Sequence, residues 1–215
     1  APRLSDWLAG LATLQARRTL RASGPITVLL DNSVRGKGVT HETTWVSTGK
    51  KMWGPHEIDT GYAARIPVHP ADCASDDYLN LRYLPGIIKL ARQGHVRLVT
   101  SAELDAERFG QPSGLYSGYG LFDYSLLQGL KVESIDGVAP FVMGPSSWDL
   151  PDLRTQQQER LKTSGDALYH ALVGKLGQSN SNDAWHIRTA ERHGLFCFLT
   201  MDFKLLRTLD SVRKQ

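Results

Sequence analysis

The stretch from Asn182 to Phe203 carries two acidic residues, Asp183 and Asp202, at the ends of a helix-then-strand pattern. Asp183 opens the helix, where a carboxylate complements the positive end of the macrodipole. Gly194 closes it. The run from Leu195 to Leu199 is continuously apolar and predicts a strand buried on both faces. A helix of about ten residues descends about 15 Å. A strand of about five residues at ~3.3 Å each climbs a similar distance back. Both carboxylates therefore return to one edge of the domain. With no basic partner in the local sequence, their proximity is costly unless a cation joins them.

Two further acids belong to the same edge if the strands are parallel. Ile26 to Leu30 is a short apolar, β-branched run that ends at Asp31, and Val96 to Thr100 is a second such run. Ser101 caps a following helix through Glu103, Leu104 and Glu107, so that Glu103 stands in its first turn, with Asp105 and Glu107 as competitors. Ligands of an open parallel sheet bind beyond the carboxyl ends of its strands. Asp31, Glu103, Asp183 and Asp202 all fall there. Each has a plainer reading as well. Asp183 complements a dipole, Asp31 is a turn residue, and Glu103 is a capping glutamate. It is their coincidence at one edge that points to a site. Hard oxygen donors suit Mg²⁺ or Mn²⁺, which can activate a water and stabilise the leaving oxygen of a phosphodiester. Zinc is disfavoured, because His186 lies near Asp183 without a second local His or Cys.

The elements that must hold these acids alternate. Leu4, Trp7, Leu8, Leu11 and Leu14 predict an amphipathic helix over about 5–22. Pro85 starts a helix that ends near Gly94. Leu161, Leu168, Leu172 and Leu176 mark helical segments, and Ser179 to Asn182 form a polar turn before the last long helix. Arg188 and Arg192 on that helix read as exposed, and His186 as a helix residue with a local partner. Residues 35–80 have no sustained period beyond one short strand at Thr43 to Ser47, and a weak strand lies near 131–135. The expected fold is a single α/β domain over residues 1–215, a three-layer αβα arrangement around a mainly parallel sheet. It carries long insertions at about 35–80 and 110–160.

At 215 residues and 41% hydrophobic content the chain can bury one real core. A formal charge of +3 permits a polyanionic partner. Cys73 and Cys197 make no disulfide framework, which suits a reducing compartment. No run of about 18 apolar residues predicts a membrane span, and no signal peptide is read at the N-terminus. A cytoplasmic protein with no membrane partner is expected. Arg35, Lys37, Lys50 and Lys51 lie near Trp45 and Trp53, a mixture that suits single-stranded nucleic acid. A solvated loop whose tryptophans pack on the core is the competing reading. Tyr116 and Tyr119 in a Gly/Ser/Tyr-rich stretch share both readings.

The four-acid pattern resembles a PIN-domain nuclease. The resemblance rests on Leu29-Leu30-Asp31-Asn32-Ser33, Thr100-Ser101-Ala102-Glu103-Leu104, Asn182-Asp183 through Gly194, and Leu199-Thr200-Met201-Asp202-Phe203. It implies a PIN-like fold and a Mg²⁺/Mn²⁺-dependent endoribonuclease acting on single-stranded RNA. Asp31, Glu103, Asp183 and Asp202 would be the metal-binding catalytic acids. Thr200 would be a supporting hydroxyl, Asn32 or Ser33 a polar group at or behind the ligands, and Asn182 a local hydrogen-bonder. The spacing from Asp31 to Glu103 exceeds that of compact family members and argues against a small toxin-type protein. A homo-oligomer or an inhibitory protein partner stays open. The alternative function is a catalytically silent PIN-like module that binds nucleic acid or protein. A small-molecule phosphohydrolase with a second aspartate two residues after a nucleophilic one is disfavoured, since Ser33 occupies that position.

Overall fold

The computed structural model describes residues 8–69, 80–110 and 124–213. The ordered elements are α1 (Leu14–Ser23), β1 (Ile26–Leu30), α2 (Asn32–Lys37), β2 (Val39–Trp53), β3 (His56–Pro67), α3 (Leu84–Arg92), β4 (Val96–Thr100), α4 (Ala102–Gly110), β5 (Tyr124–Ser125), β6 (Glu133–Ser134), α5 (Leu153–Lys162), α6 (Ala167–Leu176), α7 (Ser181–Arg192), β7 (Cys197–Leu199) and α8 (Phe203–Arg213). Residues 8–12 are helical and lead into α1.

Four strands form a parallel sheet in the order β6-β4-β1-β7. Alternate side chains of β1 serve opposite faces, as pleating requires. Val28 and Leu30 join Leu84, Ile88, Val96 and Leu98 on the side of α3. Leu29 joins Val99, Leu104 and Ala190 on the side of α4 and α7. Helices thus cover both faces of a mixed α/β fold. Leu29 and Leu30 are fully buried, and truncating either to alanine would cost about 2–5 kcal/mol.

β1 and β4 occupy the residues that the apolar runs predict. β7 differs. It is an edge strand of three residues, only part-buried, and Phe196 beside it is 68% exposed. A strand at a sheet edge has a neighbour on one side only, so its apolar run is not enclosed as in a central strand. Gly194, at φ 59°, still ends α7 in the left-handed conformation that favours glycine, and Leu195 N–H reaches back to the Ala190 carbonyl at 2.9 Å.

The region expected to be irregular contains instead a long antiparallel hairpin, β2 with β3, continued by β5. Thr43 to Ser47 is one part of a fifteen-residue strand. Neither face of this ribbon is enclosed, so its sequence need not alternate. A register shift between Ser47 and Gly49 breaks what period remains. Trp45 and Trp53 are 56% and 75% exposed and do not pack on the core. The stretch from Pro140 to Pro151, whose prolines and lack of period predict irregular structure, is irregular apart from one 3-10 turn at Ser146–Trp148. Tyr116, Tyr119, Cys73 and Trp7 lie outside the described residues.

Candidate active-site edge

Asp31 leaves the end of β1, where its N–H donates to the Leu199 carbonyl at 3.0 Å. Its Oδ2 accepts from the Ser33 hydroxyl at 2.5 Å and from the Thr200 hydroxyl at 2.6 Å. Ser33 Oγ in turn accepts the Met201 N–H, and Thr200 Oγ1 accepts the Asp202 N–H, both at 3.0 Å. The ends of β1 and β7 are therefore tied together through the hydroxyls flanking the two acids. Asp202 caps α8, its Oδ1 accepting the Lys204 and Leu205 N–H groups at 2.8 and 3.0 Å. In both aspartates the second oxygen takes no part in these bonds.

Asp183 stands in the first turn of α7. Burial raises its carboxyl pKa to about 6. His186 opposes that rise, while the negative charges of Asp202, Asp31 and Glu107 add to it. Asp31, Asp183 and Asp202 thus share one electrostatic neighbourhood. The donor chemistry suits a hard divalent cation. As the side chains lie, however, no three His, Cys, Asp or Glu residues among those described stand close enough to hold an ion.

Glu103 is not brought to this group. Arg160 of α5 grips it with two bonds, Nε to Oε1 at 2.9 Å and Nη2 to Oε2 at 2.7 Å, and its side chain is 8% exposed. Glu107, four positions later on α4, interacts with Asp183 instead. Three donors converge on its Oε1: Gln157 Nε2 at 3.0 Å, Asn182 Nδ2 at 3.0 Å and His186 Nε2 at 3.0 Å. Burial pushes the Glu107 carboxyl up, but the His186 charge and these bonds outweigh it and hold the pKa below the usual value. Burial pushes His186 down, and Glu107, then Asp31 and Asp183, outweigh that and raise it. The basic group beside the acids is His186, three residues after Asp183, and its hydrogen-bond partner Glu107 is 79 residues away. Asn182 serves Glu107 and Gln157 rather than a ligand position. Asn32 likewise points back, donating to the Leu104 carbonyl at 2.7 Å. The Oδ1 atoms of both asparagines, and Nδ1 of His186, are buried without a hydrogen-bond partner among the described residues.

The basic residues divide between two places. Arg35 lies 3.6 Å from Asp105, and Lys37 stands over the Phe203 ring at 5.5 Å. Lys50 pairs with Glu57 at 3.1 Å, and Lys51 is exposed near the hairpin turn. At ~3.3 Å per residue, Lys50 is about 35 Å along β2 from Val39. Arg188 is buried rather than exposed, bonded to Asp166 and stacked over Trp185 at 4.3 Å. Comparison with protein-family models, curated proteins and solved structures finds no match to this chain.

Proposed function

We propose that the chain is a PIN-type, metal-dependent endoribonuclease acting on single-stranded RNA. The observation that carries this reading is the placement of Asp31 and Asp202 just past the carboxyl ends of the parallel strands β1 and β7, with Asp183 of α7 near enough that its pKa is raised to about 6 by burial first and then by their charges. Three carboxylates in one electrostatic neighbourhood fit a cation-dependent site. Asp31, Asp183 and Asp202 would hold Mg²⁺ or Mn²⁺, and Glu107 takes the place that the sequence assigned to Glu103. An ion bound there supplies an activated water and offsets charge on the phosphodiester. Ser33 and Thr200 orient Asp31, and the backbone bonds of α8 orient Asp202. Gln157, Asn182 and His186 fix Glu107. The sequence supports RNA as substrate only through the family resemblance and the modest positive charge.

The second reading is a PIN-like module that binds without cutting. It is favoured by the unclosed ligand group among the described residues and by the presence of His186 among the acids. Incubation of the purified chain with single-stranded RNA and Mn²⁺ separates the two. The nuclease reading expects cleavage that chelation abolishes and that Asp31→Asn and Asp202→Asn each eliminate. Absence of cleavage, with metal binding unchanged in both variants, contradicts it.

A further inference from the structure

The β2–β3 hairpin extends away from the core. Between Ser47 and Pro67 no residue is buried. β3 is the edge strand of its sheet, and among the described residues no strand pairs with its outer side. Such an edge is a template for another strand, and a two-stranded ribbon is marginal by itself.

Pairing within the hairpin sets the faces. Ile58, Tyr62 and Ile66 oppose Lys51, Val46 and Glu42, and strand alternation places them on one face. They are 38%, 56% and 40% exposed. The other face carries Asp59, Gly61, Ala63 and Arg65. There Trp45 covers Gly61 so closely that an added Cβ would lie 2.7 Å from its ring.

We infer that β3 pairs antiparallel with β3 of a second copy of this chain, about a two-fold axis through Tyr62. In this register Tyr62 meets Tyr62 of the second copy, Ile58 meets Ile66, and Asp59 meets Arg65. Every one of these pairs except the central one occurs twice. Apolar residues face apolar ones, opposite charges face each other, and the small residues Gly61 and Ala63 meet where the Trp45 rings flank the axis. Asp59 also accepts the Ser47 hydroxyl at 2.6 Å and Arg65 lies over the Tyr124 ring at 5.6 Å, so the pairing adds to contacts within each hairpin. A shift of the axis to Gly61 would set Arg65 against Glu57 but would part the isoleucines, placing Ile58 against Ala64 and Ile66 against His56. A shift of the pairing by one residue would set opposite faces together. The chemistry of β3 thus selects one self-complementary register, and the result is a continuous sheet through both hairpins.

Sedimentation equilibrium of the full chain tests this. The wild type forms a concentration-dependent dimer. Asp59→Arg and Arg65→Asp each weaken it roughly tenfold or more, because symmetry doubles each like-charge contact. The combined exchange restores affinity to within about threefold. With Cys73→Ser and Cys197→Ser in the background, Tyr62→Cys oxidises to a covalent dimer and Thr60→Cys does not, since only position 62 faces itself. The inference is overturned by a chain that stays monomeric at every concentration, including one whose hairpin binds single-stranded RNA as a monomer. It is equally overturned by a dimer that ignores both reversals or by an exchange that fails to restore pairing.

Discussion

Arg160 and Glu103 form a two-bond pair between α5 and α4, at 2.9 and 2.7 Å. This pair removes from the acidic edge the glutamate whose place in the helix had suggested a ligand. It leaves Glu107, on the same face one turn later, as the α4 carboxylate that Asp183 senses. Glu103→Ala should therefore act on the fold. It leaves the Arg160 guanidinium short of its partner and should cost about 3 kcal/mol in urea unfolding, with divalent-cation affinity unchanged. A loss of cation binding without a loss of stability would assign Glu103 to the site after all.

Glu107 and His186 should titrate as a pair. Replacing Glu107 by glutamine removes the largest of the charges that raise His186 and leaves the burial that lowers it, opposed only by Asp31 and Asp183. The imidazole midpoint, followed by NMR, should then fall from its wild-type position. In the wild type the raised His186 contributes stability below pH 6.5 that is lost as pH rises through its folded value. The lowered Glu107 contributes stability above pH 4.5 that is lost as pH falls through its folded value.

Asp183 works in the opposite direction from Glu107. Its folded pKa of about 6 lies above the model-peptide value of 3.8, so it favours the folded state when protonated, and that contribution is lost as pH rises through about 6. In cation-free buffer, Asp183→Asn should raise the thermal midpoint at pH 7 by about 2–4 °C and have little effect at pH 4. Cation affinity should climb as pH rises through about 6 and level off above it, because a bound ion requires the carboxylate.

Much of this edge is legible in the sequence because it depends on local order. Short apolar runs give β1 and β4, an acid follows β1 directly, and Ser101 caps α4 by accepting the Leu104 N–H at 3.3 Å. What fails depends on partners distant in sequence. Glu103 and Glu107 occupy one helix face, and distant partners distinguish them: Arg160, 57 residues from Glu103, and Gln157 and Asn182, 50 and 75 residues from Glu107. His186 finds Glu107 across 79 residues, and Arg188 finds Asp166, the N-cap of α6, across 22. The hairpin escapes for another reason. Its alternation is faint, because Thr60 and Ala64 dilute the apolar face of β3 and the register shift between Ser47 and Gly49 interrupts β2, although Gly54-Pro55 marks the turn.

The hydroxyls behind Asp31 should matter through the carboxylate they hold. Thr200→Val removes one bond to Oδ2 and the acceptor for the Asp202 N–H. Cation affinity should fall about 10-fold, the lower end of what such supporting groups contribute. Ser33→Ala should produce a similar fall. Circular dichroism should report an unchanged fold in both.

Calorimetric titration of the full chain with Mn²⁺ at pH 7.5 tests most directly whether the three aspartates form one cation site. The wild type should bind, Asp31→Asn, Asp183→Asn and Asp202→Asn should each abolish or severely weaken binding, and Glu103→Gln should bind as the wild type does. Binding that survives all three aspartate substitutions, or a wild type that binds no cation, would contradict the account.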